Sequence, residues 1–378
     1  MDNFIVSARK YRPSTFNTVV GQEPIVSTLK NAIRNQQIAQ SFLFCGPRGV
    51  GKTTCARIFA KALNCHNLTA DFEPCNECES CKSFNASASF NVYELDAASN
   101  NSVEDIRALT EQVRISPQGA KFKVYIIDEV HMLSTAAFNA FLKTLEEPPA
   151  YAKFIMATTE KHKILPTILS RCQVYDFRRI NENDIVKHLT YVSQSENIVA
   201  EEEALRVVAS KADGALRDAL SIFDQLTSFS GKNITYASAI EHLNVLDVEN
   251  YFKMTDFLFS DNATSALLLL DEVISRGFEA QHFISGLASH FRNLLMAQNQ
   301  LTIKLMEVSD SIKAKFAEQA QKIDRMLLIR AMELANICDF NYKLSNNKRL
   351  SVEICLLQIN GNYLHKKNSV RQSRERKW

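Results

Sequence analysis

Residues 46–54, Gly46-Pro47-Arg48-Gly49-Val50-Gly51-Lys52-Thr53-Thr54, begin with the pattern G-x-x-x-x-G-K-T. The chemistry that suits this spacing is the gripping of phosphate. Glycines at 46, 49 and 51 permit backbone angles that turn successive N–H groups towards phosphate oxygens. The Lys52 ammonium can then sit against the β- and γ-phosphates of ATP, and the Thr53 hydroxyl can ligate Mg²⁺. A glycine-rich turn that merely ends in Lys-Thr is the plain alternative. The flanks argue against it: Ser41–Cys45 reads as a short buried strand, and Thr54–Leu63 as a helix with Ala56, Phe59, Ala60 and Leu63 on one face. A helix N-terminus behind the glycines adds a dipole that favours anions.

Asp128-Glu129 closes another apolar run, Phe122–Ile127. In a parallel sheet this strand end and the glycine loop share the carboxyl edge, where ligands bind. Asp128 is expected to hold the hydration shell of Mg²⁺, and Glu129 to orient and deprotonate an attacking water. A solvated acidic pair is the plain reading, and the phosphate loop on a neighbouring strand weighs against it. Thr158 and Thr159 follow the next strand at the same edge; a hydroxyl there suits sensing of the γ-phosphate, although threonine at a strand end is often only a β-former. Arg171, in Ser170-Arg171-Cys172, reads either as a surface charge or as a finger reaching a neighbouring subunit's nucleotide. Arg217, where a helix opens at Gly214–Asp218, is placed to fold back onto bound phosphates.

Four of the nine cysteines are clustered as Cys65-x9-Cys75-x2-Cys78-x2-Cys81. Four thiolates suit a tetrahedral, structural Zn²⁺. The C-x2-C-x2-C run also resembles iron–sulfur ligation, but no Cys-Pro follows and the neighbours are polar; free thiols are the last alternative. The other five, Cys45, Cys55, Cys172, Cys338 and Cys355, lie in apolar segments and read as small core residues.

These groups need a scaffold. Strands alternate with helices to about residue 178, which implies a parallel, doubly wound α/β domain. Strands are expected at 41–45, 91–96, 122–127, 154–157 and 173–177, with helices from Pro24, Ser102 and Ser134 between them. Beyond Asn181 strand signals stop and helical patterns take over. A small helical domain is expected over 179–243, an all-helical one over 244–365, and a basic, unstructured tail over 366–378. The 378 residues are 46% apolar and 23% charged, with a net charge of +2, which argues against a protein that coats nucleic acid by bulk charge alone and leaves room for local basic patches. No run is long and apolar enough to span a bilayer, and the first residues lack a signal-peptide core, so a cytoplasmic chain is expected.

The order of the motifs carries a resemblance. GPRGVGKT, the four-cysteine insert behind its helix (about 64–83), DEVHML at 128–133, ATTE at 157–160, SRC at 170–172 and GALRDAL at 214–220 follow ARKYRP at 8–13. Over residues 4–365 the chain closely resembles the gamma/tau subunit of bacterial DNA polymerase III, the motor of the sliding-clamp loader. The resemblance implies an AAA+ P-loop ATPase domain over 1–178 with a zinc-binding insert, a helical lid over 179–243 and a helical collar. It implies sensor 1 at Thr159, an arginine finger acting in trans at Arg171, and sensor 2 at Arg217. Ala8, Tyr11 and Val20 would line the adenine pocket, and Cys65, Cys75, Cys78 and Cys81 would hold zinc. Implied partners are delta, delta-prime and further gamma/tau copies, the beta sliding clamp and primer–template DNA, at a nucleoid-associated bacterial replisome. The label DNA-directed DNA polymerase would describe the assembly, with no polymerase site in this chain. Ending just after the expected collar, the chain looks like either the short, gamma-like form or an excised part of a longer one. Phe138 and Phe141 are either clamp contacts or core, and Arg107 and Arg114 either DNA contacts or a solvated helix face. Another AAA+ machine on DNA, of branch-migration or initiator type, is the alternative; it would lack the cysteine insert and SRC.

Overall fold

A computed structural model describes residues 5–375 other than 244, 307 and 309, with side chains to 365 except that of 311. The chain divides into two compact units between Ile234 and Thr235.

In the first unit, β1 (Ser41–Cys45), β2 (Val92–Asp96), β3 (Lys123–Asp128), β4 (Ala152–Thr158) and β5 (Gln173–Asp176) form one parallel sheet in the order β2-β3-β4-β1-β5. The central strands β1, β3 and β4 are buried along almost their whole length, whereas β2 and β5 at the edges are partly exposed. Alternate residues feed two cores. Phe42, Phe44, Val124, Ile126, Ile155 and Ala157 pack on α2 (Glu23–Arg34), α3 (Lys52–Leu63) and α4 (Glu79–Asn85). Leu43, Cys45, Tyr125, Ile127, Phe154 and Met156 pack on α5 (Val103–Val113), α6 (Thr135–Glu146) and α7 (Pro166–Leu169). Helices therefore cover both faces, as the alternating pattern requires.

Two lysines break the apolar pattern where strands begin, and each is explained by carbonyls. Buried Lys123 donates to Gln112 and Ile115 at the end of α5, at 2.9 and 3.2 Å, and buried Lys153 donates to Ile38 at 3.0 Å. Helix α5 starts as expected, with Ser102 and Asp105 capping each other. On α6 the aromatic pair is core: Phe138 and Phe141 are 4% and 0% exposed, and Phe141 packs edge-on against Phe154. Of the two readings open for them, clamp contact or core, their burial supports the core. Arg107 is exposed on α5 and Arg114 at its C-terminal cap.

The lid consists of α8 (Glu182–Ser195), α9 (Glu202–Lys211) and α10 (Leu216–Ser230). A parallel pair, β6 (Val199–Ala200) with β7 (Asn233–Ile234), joins its ends. The sequence reading expected no strand here, because two residues carry no periodicity.

The second unit contains α11 (Tyr236–Leu243), α12 (Val248–Leu258), α13 (Ala263–Ser275), α14 (Ala280–Ala297), α15 (Asp310–Lys322), α16 (Arg325–Tyr342) and α17 (Lys348–Glu375). Its core gathers Met254, Phe283, Leu287, Phe291, Leu328 and Leu356. The division falls before α11 rather than after residue 243. Helix α17 also runs through Glu375, so residues 366–375 of the expected unstructured tail are helical; 376–378 lie outside the described residues. Extending an existing helix adds a hydrogen bond per residue without a new nucleus, and Lys, Arg, Gln and Glu are good helix formers.

Candidate functional site

Sheet register assembles the site. Cys45 pairs with both Thr158 and Asp176, Asp96 pairs with Asp128, and Ile127 pairs with Met156. The residues that follow, Gly46, Glu129 and Thr159, therefore leave the sheet at one edge. Gly46 has φ 147°, and a Cβ there would lie 2.5 Å from the Phe177 carbonyl oxygen, so only glycine fits. Lys52 opens α3 and is buried; its Nζ donates to the Gly46 and Pro47 carbonyls at 2.8 Å each. Burial lowers its pKa, opposed by nearby Glu129 and Asp128.

The Thr53 hydroxyl donates to Asp128 Oδ2 at 2.7 Å, and Asp128 Oδ1 accepts the Glu129 N–H at 3.0 Å. Two hard oxygen donors thus meet beside the phosphate loop, a donor set that fits Mg²⁺. Glu129 adopts the left-handed region, with φ 46° and ψ 45°, uncommon for a residue with a Cβ. Its Oε2 accepts the N–H and hydroxyl of Thr159 at 3.2 and 3.0 Å and lies 3.3 Å from His131 Nδ1. His131 Nδ1 is also 3.1 Å from the buried Thr158 hydroxyl, and Nε2 is 3.2 Å from Glu160. This arrangement can hold a carboxylate beside a reacting water and orient it.

The lid meets the loop from the other side. Gly49, at φ 76°, has its carbonyl 3.4 Å from the Arg217 N–H, and a Cβ on it would lie 3.0 Å from Ala215 Cβ. Arg217 is thereby carried to the loop on the first turn of α10. Arg12 donates from Nε to Thr54 Oγ1 at 3.2 Å; burial and the neighbouring Arg57 lower its pKa, and Arg217 adds to the effect. Ala8 belongs to α1 (Ser7–Lys10), which packs on α10 through a 2.7 Å bond from the Ser7 N–H to Asp224, while Tyr11 donates to Glu196 at the C-terminal cap of α8. Burial, reinforced by Glu196, pushes the Tyr11 phenol up to about 12. Val20 is half-buried and precedes Gln22, whose amide donates to the Arg178 carbonyl at 2.7 Å and reaches the Val50 carbonyl at 3.4 Å.

The sulfurs of Cys65, Cys75, Cys78 and Cys81 lie within 4.8 Å of one another. Cys65 and Cys75 are 3.5 Å apart, and Cys75 and Cys81 are 3.9 Å apart, far beyond a disulfide bond. Four thiolates about 2.3 Å from one central ion would be separated by about 3.8 Å, so the set fits a single tetrahedral metal. A cluster of several irons spreads its thiolates over different metal atoms and needs a wider set. N–H groups of Cys78 and Glu77 pull the Cys75 thiol down to about 6, while burial pushes Cys65 and Cys81 up.

Comparison with known proteins adds descent to this geometry. Residues 21–181 match a family model described as DNA polymerase III, delta subunit, and residues 184–232 match the clamp loader subunit ATPase lid domain of DNA polymerase III. DNA polymerase III subunit gamma of Buchnera aphidicola subsp. Schizaphis graminum is 35% identical over 94% of this chain and 98% of its own. The chain belongs to the gamma/tau family of bacterial DNA polymerase III subunits. Subunit tau of Bacillus subtilis is 40% identical over 93% of this chain, and subunit tau/gamma of Haemophilus influenzae 45% over 71%. This chain spans 62% and 38% of their respective lengths. Among solved structures, the Thermotoga maritima RuvB branch-migration motor overlays with a TM-score of 0.46 at 18% identity, over 66% of this chain and 80% of that one.

Within this gamma/tau-family fold, Arg171 stands apart. Among the described residues its bonds go to Glu146 at 2.8 Å, to the Thr167 carbonyl at 2.7 Å and to the Ser170 hydroxyl, not to residues 46–54. His131, Gln22 and Glu73 received no role from the sequence. His131 was visible inside DEVHML, but its neighbours Thr158 and Glu160 come from another strand's end. No helix among the described residues is long and apolar enough to cross a membrane.

Proposed function

We propose that this chain is the ATP-hydrolysing motor of a sliding-clamp loader, opening a ring-shaped clamp and placing it on primer–template DNA during replication. The observation that carries the reading is the Thr53–Asp128 bond beside the Glu129–Thr159 bond at the phosphate loop. In this reading the N–H groups of 46–54 and Lys52 hold the phosphates of ATP, with Arg48, Val50 and Thr54 as loop contacts. Thr53 and Asp128 would hold Mg²⁺, which when bound neutralises phosphate charge. Glu129 takes the proton of the attacking water while Thr159, as sensor 1, holds its carboxylate. Arg217 reports phosphate occupancy to the lid as sensor 2. Arg171, at the surface, serves the nucleotide of a neighbouring subunit as a finger. Ala8, Tyr11 and Val20 shape the adenine end. The four cysteines would hold structural Zn²⁺, which cross-links the insert.

Groups drawn from the lid and from a neighbour make ATP a differential ligand between two subunit arrangements, which a switch requires. The partners in this reading are delta, delta-prime, further gamma/tau copies, the beta clamp and primed DNA, in the bacterial cytoplasm. The chain contributes ATP hydrolysis to a polymerase assembly and no polymerase chemistry of its own. The clamp-loader lid and the cysteine centre favour this over another AAA+ DNA-remodelling ATPase.

The test is steady-state ATPase activity in the reconstituted loader. Turnover should rise sharply when clamp and primed DNA are both added, Lys52→Ala should abolish it, and Arg171→Ala should act through the adjacent subunit's site. Turnover indifferent to clamp and DNA would sink the loader reading.

A further inference from the structure

The cysteine insert does more than hang from α3. Glu73, two residues before Cys75, is only 5% exposed. Its carboxylate accepts the Phe16 N–H at 2.7 Å and the Asn17 N–H at 2.9 Å, and pairs with Lys30 of α2 at 2.6 Å. Lys30 also donates to Asn17 Oδ1 at 2.7 Å. A buried carboxylate is costly unless paired and fully hydrogen-bonded, and this one is. The insert presents it rigidly: the Thr69 N–H donates to the Glu73 carbonyl at 3.0 Å, and the Glu73 N–H donates to the Thr69 hydroxyl at 3.1 Å.

The segment that Glu73 grips is a strap that touches the phosphate loop and the helix behind it. Phe16 is buried in the core, and from it the chain runs through Val20 to Gln22, which reaches the Val50 carbonyl. Upstream, Arg12 bonds Thr54. Residues 12–22 thus touch the phosphate loop at Val50 and the first turn of α3 behind it at Thr54, and they include Val20 of the proposed adenine end.

We propose that Glu73 is a positioning residue that couples the cysteine centre to the nucleoside end of the nucleotide site. The metal-held insert fixes Glu73, Glu73 fixes the strap, and the strap sets affinity for base and ribose. This rests on the nucleotide and metal readings above.

Calorimetric titration of the full chain with ATP and, separately, with inorganic tripolyphosphate tests it. Glu73→Gln should weaken ATP about tenfold, within the usual range for coupled sites, and leave tripolyphosphate within about twofold. It should also retain its metal. Chelator-stripped wild type should lose ATP affinity by the same factor, and stripping Glu73→Gln should add nothing further, because both act on one link. ATP binding by Glu73→Gln equal to wild type, equal loss of both ligands, or additive losses would each overturn the coupling. The Glu73→Gln arm stays decisive even where stripped protein unfolds. A wild type that binds tripolyphosphate no better than a Lys52→Ala control, and ATP not at all, would instead overturn the nucleotide reading beneath it.

Discussion

The Glu129 carboxylate accepts two hydrogen bonds from Thr159, one from the backbone N–H at 3.2 Å and one from the hydroxyl at 3.0 Å. Both bonds converge on Oε2, so Thr159 fixes the direction of the other oxygen. Removing the hydroxyl alone separates positioning from chemistry. Thr159→Val should lower kcat for ATP about tenfold with KM within about twofold, because the N–H bond survives. Glu129→Gln should lower kcat by about a hundredfold or more while ATP still binds, since it deletes the proposed base. If Thr159→Val raises KM and spares kcat, Thr159 serves binding and the positioning role is wrong.

Gly49 joins the loop to the lid. An alanine there is strained at φ 76° and brings its Cβ to 3.0 Å from Ala215. Gly49→Ala should cost about 1–2 kcal/mol of stability in the first unit and weaken ATP binding about tenfold, by pushing α10 and Arg217 away. Thermal unfolding and titration with ATP check the two parts. Unchanged affinity would mean that the lid contact does not matter for binding.

The site was legible where function demands residue types at fixed spacing along the chain. Gly46–Thr53, Asp128-Glu129 and the four cysteines were all singled out from sequence, and the fold gathers them at one sheet edge and in one sulfur cluster, on strands that fall within about two residues of expectation. The doubly wound sheet followed from the same alternation of apolar runs. What stayed hidden depends on partners distant in sequence. Glu73 reads as one more acid in a polar insert until the fold sets it against Phe16 and Asn17. His131 gains meaning only when register brings Thr158 and Glu160 to it. Phe138 and Phe141 stayed open between clamp contact and core, because a helix that follows a functional motif can still owe its apolar face to the core.

Acid should weaken the second unit through His290. Buried on α14 against Phe252 and Phe316 and 3.1 Å from the Gln319 amide oxygen, its imidazole is pulled down by burial to about 4. The unfolded chain protonates near pH 6.5, so it binds the extra proton first, and stability falls as pH drops from about 6.5 towards 4. Between pH 7 and pH 5 the loss from this residue should be about 2 kcal/mol. Urea titrations of wild type and His290→Gln at both pH values read it as a difference in slope. Equal acid losses in the two proteins would exclude His290 as the source.

The cysteine centre makes the last prediction. Four sulfurs within 4.8 Å of one another suit one tetrahedral ion, and Cys75 is the thiol most ready to ionise, pulled down to about 6 by N–H donors. Cys65 and Cys81, pushed up by burial, must lose protons when the metal enters. Metal and protons therefore compete, and affinity should fall as pH drops from 7 to 5. Protein purified without chelator should hold about one zinc per chain by elemental analysis. A chromogenic chelator should extract it faster at pH 5 than at pH 7, and Cys81→Ser should lower both the zinc content and the thermal midpoint of the first unit. A brown sample containing iron would replace zinc with iron chemistry, and extraction indifferent to pH would mean that the thiols are not the ligands.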